Sequence, residues 1–155
     1  MNILFTVCGR AGSKGFKNKN LKEMNGVPLV LYTLAVIRLF VESDPHKKVM
    51  VALNTDSQPL MDIVRRQNVF GDILYVERKD ELAGDKVAKV DVIRDTFRMV
   101  GKDYDVIVDL DITSPLRKVT DIENILHIYQ SNSSYDLVTS VVPARRSPYF
   151  NMVEK

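Results

Sequence analysis

The sequence predicts an α/β fold in which a mostly parallel β-sheet is covered by helices on both faces. Short apolar runs alternate with amphipathic segments of about ten or more residues, a pattern typical of βαβ units. With 155 residues and 45% hydrophobic content, the chain can bury one sizeable core but hardly two. We therefore expect a single three-layer α/β/α domain that spans residues 1–155.

The strands are predicted from short apolar runs that are bounded by turn signals. The first run is followed directly by a glycine-rich segment, which places a loop at the carboxyl end of the first strand. The predicted strands are Ile3–Val7, Val49–Leu53, Ile73–Val76, Val106–Leu110 and Leu137–Val142.

The helices are predicted from apolar residues at helical spacing and from capping residues. Gly26–Val27–Pro28 is predicted to form a turn that leads into the first helix. Asp56 or Ser57 is a suitable N-cap for the second helix, which tolerates Pro59 in its first turn. The predicted helices are Leu29–Val41, the capped segment to about Gln67, about Val87–Val100 and about Asp121–Tyr129.

A cationic, glycine-rich segment, Cys8–Leu21, follows the first strand. Gly9, Gly12 and Gly15 preclude a continuous helix and let the backbone curve around a ligand. No acidic residue precedes Glu23, so the first 22 residues carry +5, whereas the other 133 carry 17 basic and 20 acidic residues, or −3. The five charges are those of Arg10, Lys14, Lys17, Lys19 and Lys22.

Bare backbone N–H groups in a cationic field suit a polyphosphate, and we predict a nucleoside triphosphate as the ligand of this segment. The segment is not a Walker A loop, because Phe16 follows Gly15 in place of Lys and Ser or Thr. The three glycines also do not match the G-x-G-x-x-G fingerprint. The alternative is a solvated basic turn without a ligand.

Two acidic residues mark the end of the strand Val106–Leu110. Strand alternation places Asp109 and Asp111 on one side, where a carboxylate needs a cation or hydrogen-bond donors. Asp111 lies at the carboxyl edge, where such sheets bind ligands, and is predicted to hold Mg²⁺ that bridges the triphosphate. Alternatively, either acid accepts N–H groups from the turn at Thr113 or pairs with a lysine of the first loop. For Asp109 we favour a structural role.

Composition argues against several other classes of protein. No apolar run is long enough to span a membrane, and the amino terminus lacks the features of a signal peptide. A single cysteine cannot form an internal disulfide, which fits a reducing cytoplasm, and Cys8 is interpreted as a small buried residue. The net charge of +2 and one compact basic loop argue against a nucleic-acid partner. No Cys and His metal cluster is visible.

The motifs resemble those of one enzyme family. Arg10-x-Gly12-Ser13-Lys14-Gly15 followed by Lys19-Asn20-Leu21 is similar to the signature A-R-x-G-S-K-G and K-N of the acylneuraminate cytidylyltransferases, or CMP-sialic acid synthetases. The family usually has Ala where this chain has Gly9, a change expected to make the loop more flexible. Three further segments resemble the family: Arg78–Asp85 (R-x-x-E-L-A-x-D), Thr113–Arg117 (T-S-P-L-R) and Pro143–Asn151.

The resemblance implies a Rossmann-like fold of the nucleotide-diphospho-sugar transferase type. It also implies the transfer of CMP from CTP to a nine-carbon 2-keto sugar acid, with release of pyrophosphate and Mg²⁺ as cofactor. Asp-Leu-Asp before Thr113, together with Pro143–Asn151, is most like the branch that activates legionaminic acid. Many sialic acid synthetases have a sugar-facing Gln at the position of Asp111, so the exact sugar is open.

Site roles follow from the resemblance and from charge. Arg10, Lys14 and Lys19 are predicted to be catalytic, and Arg145 and Arg146 to grip a sugar carboxylate unless they are only solvated charges. The predicted nucleotide-binding residues are Arg10, Gly12, Ser13, Lys14, Asn20, Arg78 and Asp85. The predicted substrate-binding residues are Asp111, Thr113, Ser114, Arg117, Arg145, Arg146 and Tyr149.

The resemblance implies that family members continue well past the position of Lys155, into segments that include a dimerising excursion and a distal pair of metal-binding aspartates. The chain is therefore expected to be C-terminally truncated. The resemblance implies a homodimer for the complete protein and leaves the activity of this chain open. Two other functions are compatible with the sequence. One is a related nucleotidyltransferase that acts on a deoxyoctulosonate or a sugar 1-phosphate. The other is a non-catalytic nucleotide-binding module.

Overall fold

A computed structural model describes residues 1–12, 16–101 and 103–142. Its main elements are four parallel strands and four α-helices, joined by a short hairpin and two 3₁₀ turns. The strands are β1 (Asn2–Cys8), β2 (Glu23–Met24), β3 (Val27–Pro28), β4 (Lys48–Thr55), β5 (Ile73–Glu77) and β6 (Val106–Asp109). The helices are α1 (Leu29–Glu42), α2 (Gln58–Gln67), α3 (Lys89–Val100) and α4 (Val119–Ser131), and the 3₁₀ turns are Lys19–Leu21 and Asp80–Leu82.

The main sheet has the order β5-β4-β1-β6, and all of its pairings are parallel. The five central residues of β1, from Ile3 to Val7, are at most 1% exposed. Because successive side chains of a strand point to opposite faces, both faces of the sheet must be covered. Phe40 of α1 contributes to this cover through an edge-to-face contact with Phe5, at 5.5 Å between ring centroids. The predicted three-layer α/β/α class is confirmed.

The strand register aligns the carboxyl ends that carry polar residues. Cys8 of β1 pairs with Asn54 of β4, and Thr6 pairs with Asp109 of β6. On the other side of β4, Thr55 pairs with Glu77, the residue before Arg78. One edge of the sheet therefore brings together side chains from four strands that are distant in sequence.

Local signals explain most of the element boundaries. Ser57 caps α2, since its side chain accepts a hydrogen bond from the N–H of Leu60 at 3.4 Å. The turn between β2 and β3 is formed by Asn25 and Gly26, whose φ angles of 52° and 75° are those of a type I′ hairpin turn. The observed turn therefore begins at Asn25, one residue before the predicted Gly26, and Val27 and Pro28 form strand β3.

The fifth predicted strand is wrong. Residues 137–142 form no strand, and Leu137, Val141 and Val142 are 79%, 68% and 85% exposed. An apolar run becomes a strand only where a neighbouring strand pairs with its backbone and a packed layer covers its side chains. Within the described part of the chain, this run has neither a strand that pairs with its backbone nor a layer that covers its side chains.

Chain contacts divide the protein into two compact units, Met1–Val119 and Thr120–Lys155. The first unit contains the whole parallel sheet and helices α1 to α3. The second begins within α4, whose Ile122 and Leu126 are buried. No helix among the described residues is long and apolar enough to cross a membrane.

Candidate functional site

A cleft of about 250 Å³ opens at the carboxyl edge of the sheet, within the first compact unit. Its wall contains seven residues that the sequence singles out as ligand-binding: Arg10, Lys19, Asn20, Arg78, Asp85, Asp111 and Thr113. The other described residues of the wall are Cys8, Leu82, Gly84, Val87, Lys89, Val92 and Ile112.

The charge of the cleft favours an anion. Its wall carries four basic side chains and two acidic ones, which gives a formal net charge of +2. The basic residues are Arg10, Lys19, Arg78 and Lys89, and the acidic ones are Asp85 and Asp111. A concave surface of one predominant sign concentrates ligands of the opposite charge. The cleft therefore suits an anionic ligand.

The first loop is tied to the end of β4 by its backbone. The N–H of Gly9 donates to the carbonyl of Asn54 at 3.0 Å, and the hydroxyl of Thr55 donates to the carbonyl of Gly9. The N–H of Ala11 then donates to Asp56 Oδ1 at 2.7 Å. These bonds continue the β1–β4 ladder into the loop, so the start of the loop has a defined position.

Gly9 is required by packing. A Cβ at this buried position would lie 2.6 Å from Leu60 Cδ2 and 2.7 Å from Ile112 Cδ1, much closer than normal contacts. The expectation of a more flexible loop is therefore wrong at this position, because Gly9 makes backbone hydrogen bonds and is enclosed by side chains.

We expect Gly9→Ala to lower the free energy of unfolding by about 1–3 kcal/mol, toward the lower value because the clashing atoms are side-chain ends. Urea denaturation monitored by circular dichroism measures this change. Ile112→Val removes the clashing Cδ1 and should recover part of the loss in the double variant. Equal stability of Gly9→Ala and the parent protein would contradict the packing explanation.

Arg10 connects the first loop with the segment that follows β5. Its Nη1 lies 2.5 Å from Asp85 Oδ1 and donates to the carbonyl of Ala83 at 3.5 Å. Asn20, which is 7% exposed, donates from Nδ2 to the carbonyl of Arg10 at 3.0 Å. Asn20 thus supports the geometry of the loop, and its predicted role in nucleotide binding stays a prediction. Arg10 and Asp85 close one side of the cleft as an ion pair.

Arg78 is held rigidly at the floor of the cleft. Its Nε donates to Asn54 Oδ1 at 2.7 Å and its Nη2 donates to the Asn54 carbonyl at 3.1 Å. Asn54 in turn donates to the hydroxyl of Thr96 at 2.9 Å. The pKa of Arg78 is lowered from its ordinary value by burial, and the nearby Cys8 and Asp56 offset only part of this shift. The network fixes the plane of a guanidinium that is only 6% exposed.

The two acids at the end of β6 share one cation, the ammonium of Lys89 at the start of α3. Lys89 Nζ lies 2.5 Å from Asp109 Oδ2 and also bonds Asp111 Oδ1. Asp109 additionally accepts a hydrogen bond from the Thr6 hydroxyl at 2.9 Å. Burial lowers the pKa of Lys89, but the two carboxylates outweigh burial and the net pKa is raised. Among the described residues, the lysine partner of both acids is Lys89 of α3.

Cys8 lies beside this ion cluster, and its thiol is protected from ionisation. The pKa of Cys8 is raised to about 12, mainly by burial and to a smaller extent by the negative charge of the neighbouring Asp109. Cys8 is half-buried and lines the cleft, so it is less enclosed than the predicted small buried residue.

At pH 8 we expect Cys8 of the folded protein to react with a disulfide reagent at least about tenfold more slowly than in the urea-unfolded chain. The thiolate is the reactive species, and its fraction falls about tenfold for each unit by which the pKa exceeds the pH. Raising the pKa of Cys8 from 9.0 to about 12 lowers the thiolate fraction strongly, and the higher nucleophilicity of a more basic thiolate offsets only part of this loss. Stopped-flow absorbance of the released reporter thiolate measures both rates, and comparable rates would show that the thiol is not protected.

Three predicted residues lie near the cleft without lining it. Gly12 has a left-handed φ of 69°, which favours glycine at this loop position. Ser114 donates its N–H to the carbonyl of Asp111 at 3.3 Å and so shapes the turn, and Arg117 lies further along the same segment. The predicted residues Ser13, Lys14, Arg145, Arg146 and Tyr149 lie outside the described residues.

Lys89, Asn54 and Asp56 are part of the site and were not predicted. Asn54 and Asp56 could have been found, because Asn54-Thr55-Asp56 is a polar triplet at the carboxyl end of an apolar strand. That is the same signal as Asp109 and Asp111 at the end of the fourth predicted strand. Lys89 carries no such signal, since lysine is common on exposed helix positions.

Comparisons with known proteins identify the family of the chain. A family sequence profile described as cytidylyltransferase matches residues 4–152. The chain belongs to the cytidylyltransferase family. Among its relatives, the post-translational flagellin modification protein B of Campylobacter coli is 34% identical over 98% of this chain. The CMP-N,N'-diacetyllegionaminic acid synthase of Campylobacter jejuni is 33% identical over 98% of this chain.

This cytidylyltransferase chain spans 63% of the length of each of these two relatives. Among solved structures, CMP:2-keto-3-deoxy-manno-octonic acid synthetase in complex with CTP matches with a TM-score of 0.65. It is 16% identical, and the match covers 86% of this chain and 49% of that one. This likeness supports the Rossmann-like nucleotidyltransferase fold.

Proposed function

We propose that the complete protein activates a nine-carbon 2-keto sugar acid, of the legionaminic or sialic acid type, with CTP. The anomeric hydroxyl of the sugar attacks the α-phosphorus of CTP, an oxygen–phosphorus bond forms, and the bond to the pyrophosphate leaving group breaks. The hydroxyl proton passes to a base that we leave unassigned. The products are the CMP-sugar and pyrophosphate.

One observation carries this proposal. Residues of three separate motifs that resemble the acylneuraminate cytidylyltransferases, represented by Lys19, Arg78 and Thr113, line a single cationic cleft at the carboxyl edge of the sheet. Open α/β sheets bind their ligands at that edge. The family match and the relative that acts as a CMP-N,N'-diacetyllegionaminic acid synthase support the same reaction class.

Positioning and charge stabilisation are the expected contributions of the protein, because phosphoryl transfer requires little covalent chemistry from side chains. Lys19 has no carboxylate partner among the described residues, so its ammonium is available for phosphate oxygens. Two hydrogen bonds to Asn54 hold the Arg78 guanidinium in one orientation, which fits recognition of a planar base. Arg10 and Asp85 also line the cleft, where they form an ion pair.

The residues at the end of β6 fit a divalent cation. Asp109 and Asp111 converge on one point, which is the position that the Lys89 ammonium takes, and carboxylate oxygens are the ligands Mg²⁺ prefers. We propose Asp111 as the main protein ligand, since its side chain is 59% exposed whereas that of Asp109 is 22% exposed. Mg²⁺ would supply charge neutralisation at the triphosphate.

The sugar is assigned by likeness alone. Thr113 lines the cleft next to Asp111, and Ser114 and Arg117 belong to the same segment. Arg145, Arg146 and Tyr149 are proposed to bind the sugar carboxylate and lie outside the described residues. A homodimer of the complete protein and a cytoplasmic location stay predictions.

A pyrophosphate-release assay tests the proposed reaction. The complete protein is supplied with CTP, UTP or GTP, each with legionaminic acid, N-acetylneuraminic acid or a deoxyoctulosonate, in the presence of Mg²⁺. We expect release with CTP and a nine-carbon acid. Release with another nucleotide or only with the eight-carbon acid would establish the related nucleotidyltransferase instead. Binding of CTP in calorimetry without release from any pair would establish a non-catalytic module.

A further inference from the structure

Lys89 is placed where a helix does not favour a lysine. It is the first residue of α3, and the amino-terminal end of a helix carries a partial positive charge that disfavours cations. Its ammonium nevertheless lies within ion-pair distance of Asp109 and Asp111, and its side chain is 40% exposed. The carboxylates, and not the helix, account for the position of this ammonium.

The ammonium and a divalent cation would use the same carboxylate oxygens. Lys89 Nζ lies 2.5 Å from Asp109 Oδ2 and bonds Asp111 Oδ1, the two atoms that converge on the candidate cation position. One point cannot hold both cations, and an ammonium beside a divalent ion repels it. In addition, no group of three or more His, Cys, Asp or Glu that could hold a metal occurs in the described ranges.

We propose that Lys89 is an internal competitor of the divalent cation at Asp109 and Asp111, so that the cation binds together with the nucleotide and not before it. This inference rests on the proposed cation role of Asp111. The nucleotide brings phosphate oxygens, which supply further ligands for the cation and another anionic partner for the ammonium. Lys89 is thus a positioning residue that couples cation binding to nucleotide binding.

Binding of Mn²⁺ to the nucleotide-free protein tests the competition, with free Mn²⁺ measured by electron paramagnetic resonance. We expect Lys89→Met to bind Mn²⁺ at least about tenfold more tightly than the parent protein. A single charge at this distance changes the affinity of a carboxylate for a proton by about ten- to a thousandfold, and the same reasoning applies to a metal ion. The gain should be lost in the double variant Lys89→Met/Asp111→Asn.

Lys79→Met is the matched control. Lys79 also pairs with an aspartate, Asp95, at 2.6 Å between Nζ and Oδ1, but it does not line the cleft. Its replacement should leave Mn²⁺ binding unchanged. If Lys89→Met does not keep the native circular dichroism spectrum, Lys89→Gln replaces it, because that change also removes the charge and keeps a polar side chain.

Unchanged Mn²⁺ affinity in a folded Lys89 variant would overturn the proposal, and so would an equal gain in Lys79→Met. Calorimetry of the parent protein with CTP separates this outcome from a failure of the proposed function. If CTP binds and Lys89→Met has no effect on Mn²⁺, only the role of Lys89 is wrong. If CTP does not bind to the parent protein, the proposed function is wrong as well.

Discussion

Replacing Lys19 with alanine in the complete protein is expected to reduce turnover of CTP by about 10²- to 10³-fold, the usual effect of removing one preorganised charge-stabilising donor. Lys19 begins a 3₁₀ turn on the cleft wall and has no carboxylate partner within the described ranges. Its charge is therefore available to the transferred phosphoryl group or to the leaving pyrophosphate. Steady-state pyrophosphate release at saturating CTP measures the change, and circular dichroism verifies the fold.

Lys22→Ala is the matched control for this prediction. Lys22 carries the same charge in the same segment, but its ammonium lies 5.3 Å from the centre of the Phe16 ring and it does not line the cleft. We expect turnover of Lys22→Ala within a factor of about two of the parent protein. If Lys19→Ala also stayed within that factor, Lys19 would have no role in charge stabilisation.

Asp111→Asn should reduce turnover by at least about 10²-fold, because the amide keeps the shape of the side chain but loses the charge that we propose to hold a divalent cation. The backbone of this residue is supported separately, since the Thr33 hydroxyl donates to the Asp111 carbonyl at 3.4 Å. The fold should therefore survive the substitution. The distinguishing readout is the Mg²⁺ concentration required for half-maximal turnover, which should rise strongly in the variant.

Asp105→Asn provides the comparison at the opposite end of β6. Asp105 Oδ2 accepts a hydrogen bond from the N–H of Asn2 at 2.6 Å, far from the carboxyl edge of the sheet. This variant should keep the Mg²⁺ requirement of the parent protein. A normal Mg²⁺ requirement in Asp111→Asn would show that another residue holds the cation.

The sequence predicts the frame of the site well because that frame depends on short-range patterns. Each of the first four apolar runs forms a strand of the main sheet, and Ser57 caps α2 as one of its two candidates. Once the strands are parallel, their carboxyl ends meet at one edge, which brings Lys19 and Asp111 into one cleft. A glycine-rich, basic loop directly after a buried strand is therefore the sequence pattern that predicts the position of the cleft.

The internal partners of the site depend on contacts between residues far apart in the chain. Asn54 orients Arg78 only because β4 and β5 pair in one particular register. Lys89 reaches Asp109 only through the packing of α3 against β1, β4 and β5, which no local pattern specifies. The role of Gly9 is likewise set by the side chains of other elements and was misread as flexibility. The run at 137–142 shows the converse, since apolar residues without a pairing strand form no strand.

A crystal structure of the protein with CTP and Mg²⁺ is the most direct test of the central claim that the cleft binds the triphosphate. We expect the phosphate oxygens within hydrogen-bonding distance of Lys19 Nζ, the base beside Arg78, and the metal ion bound to an oxygen of Asp111. A nucleotide bound elsewhere on the protein, with the cleft between Lys19 and Asp111 empty of phosphate, would contradict the account.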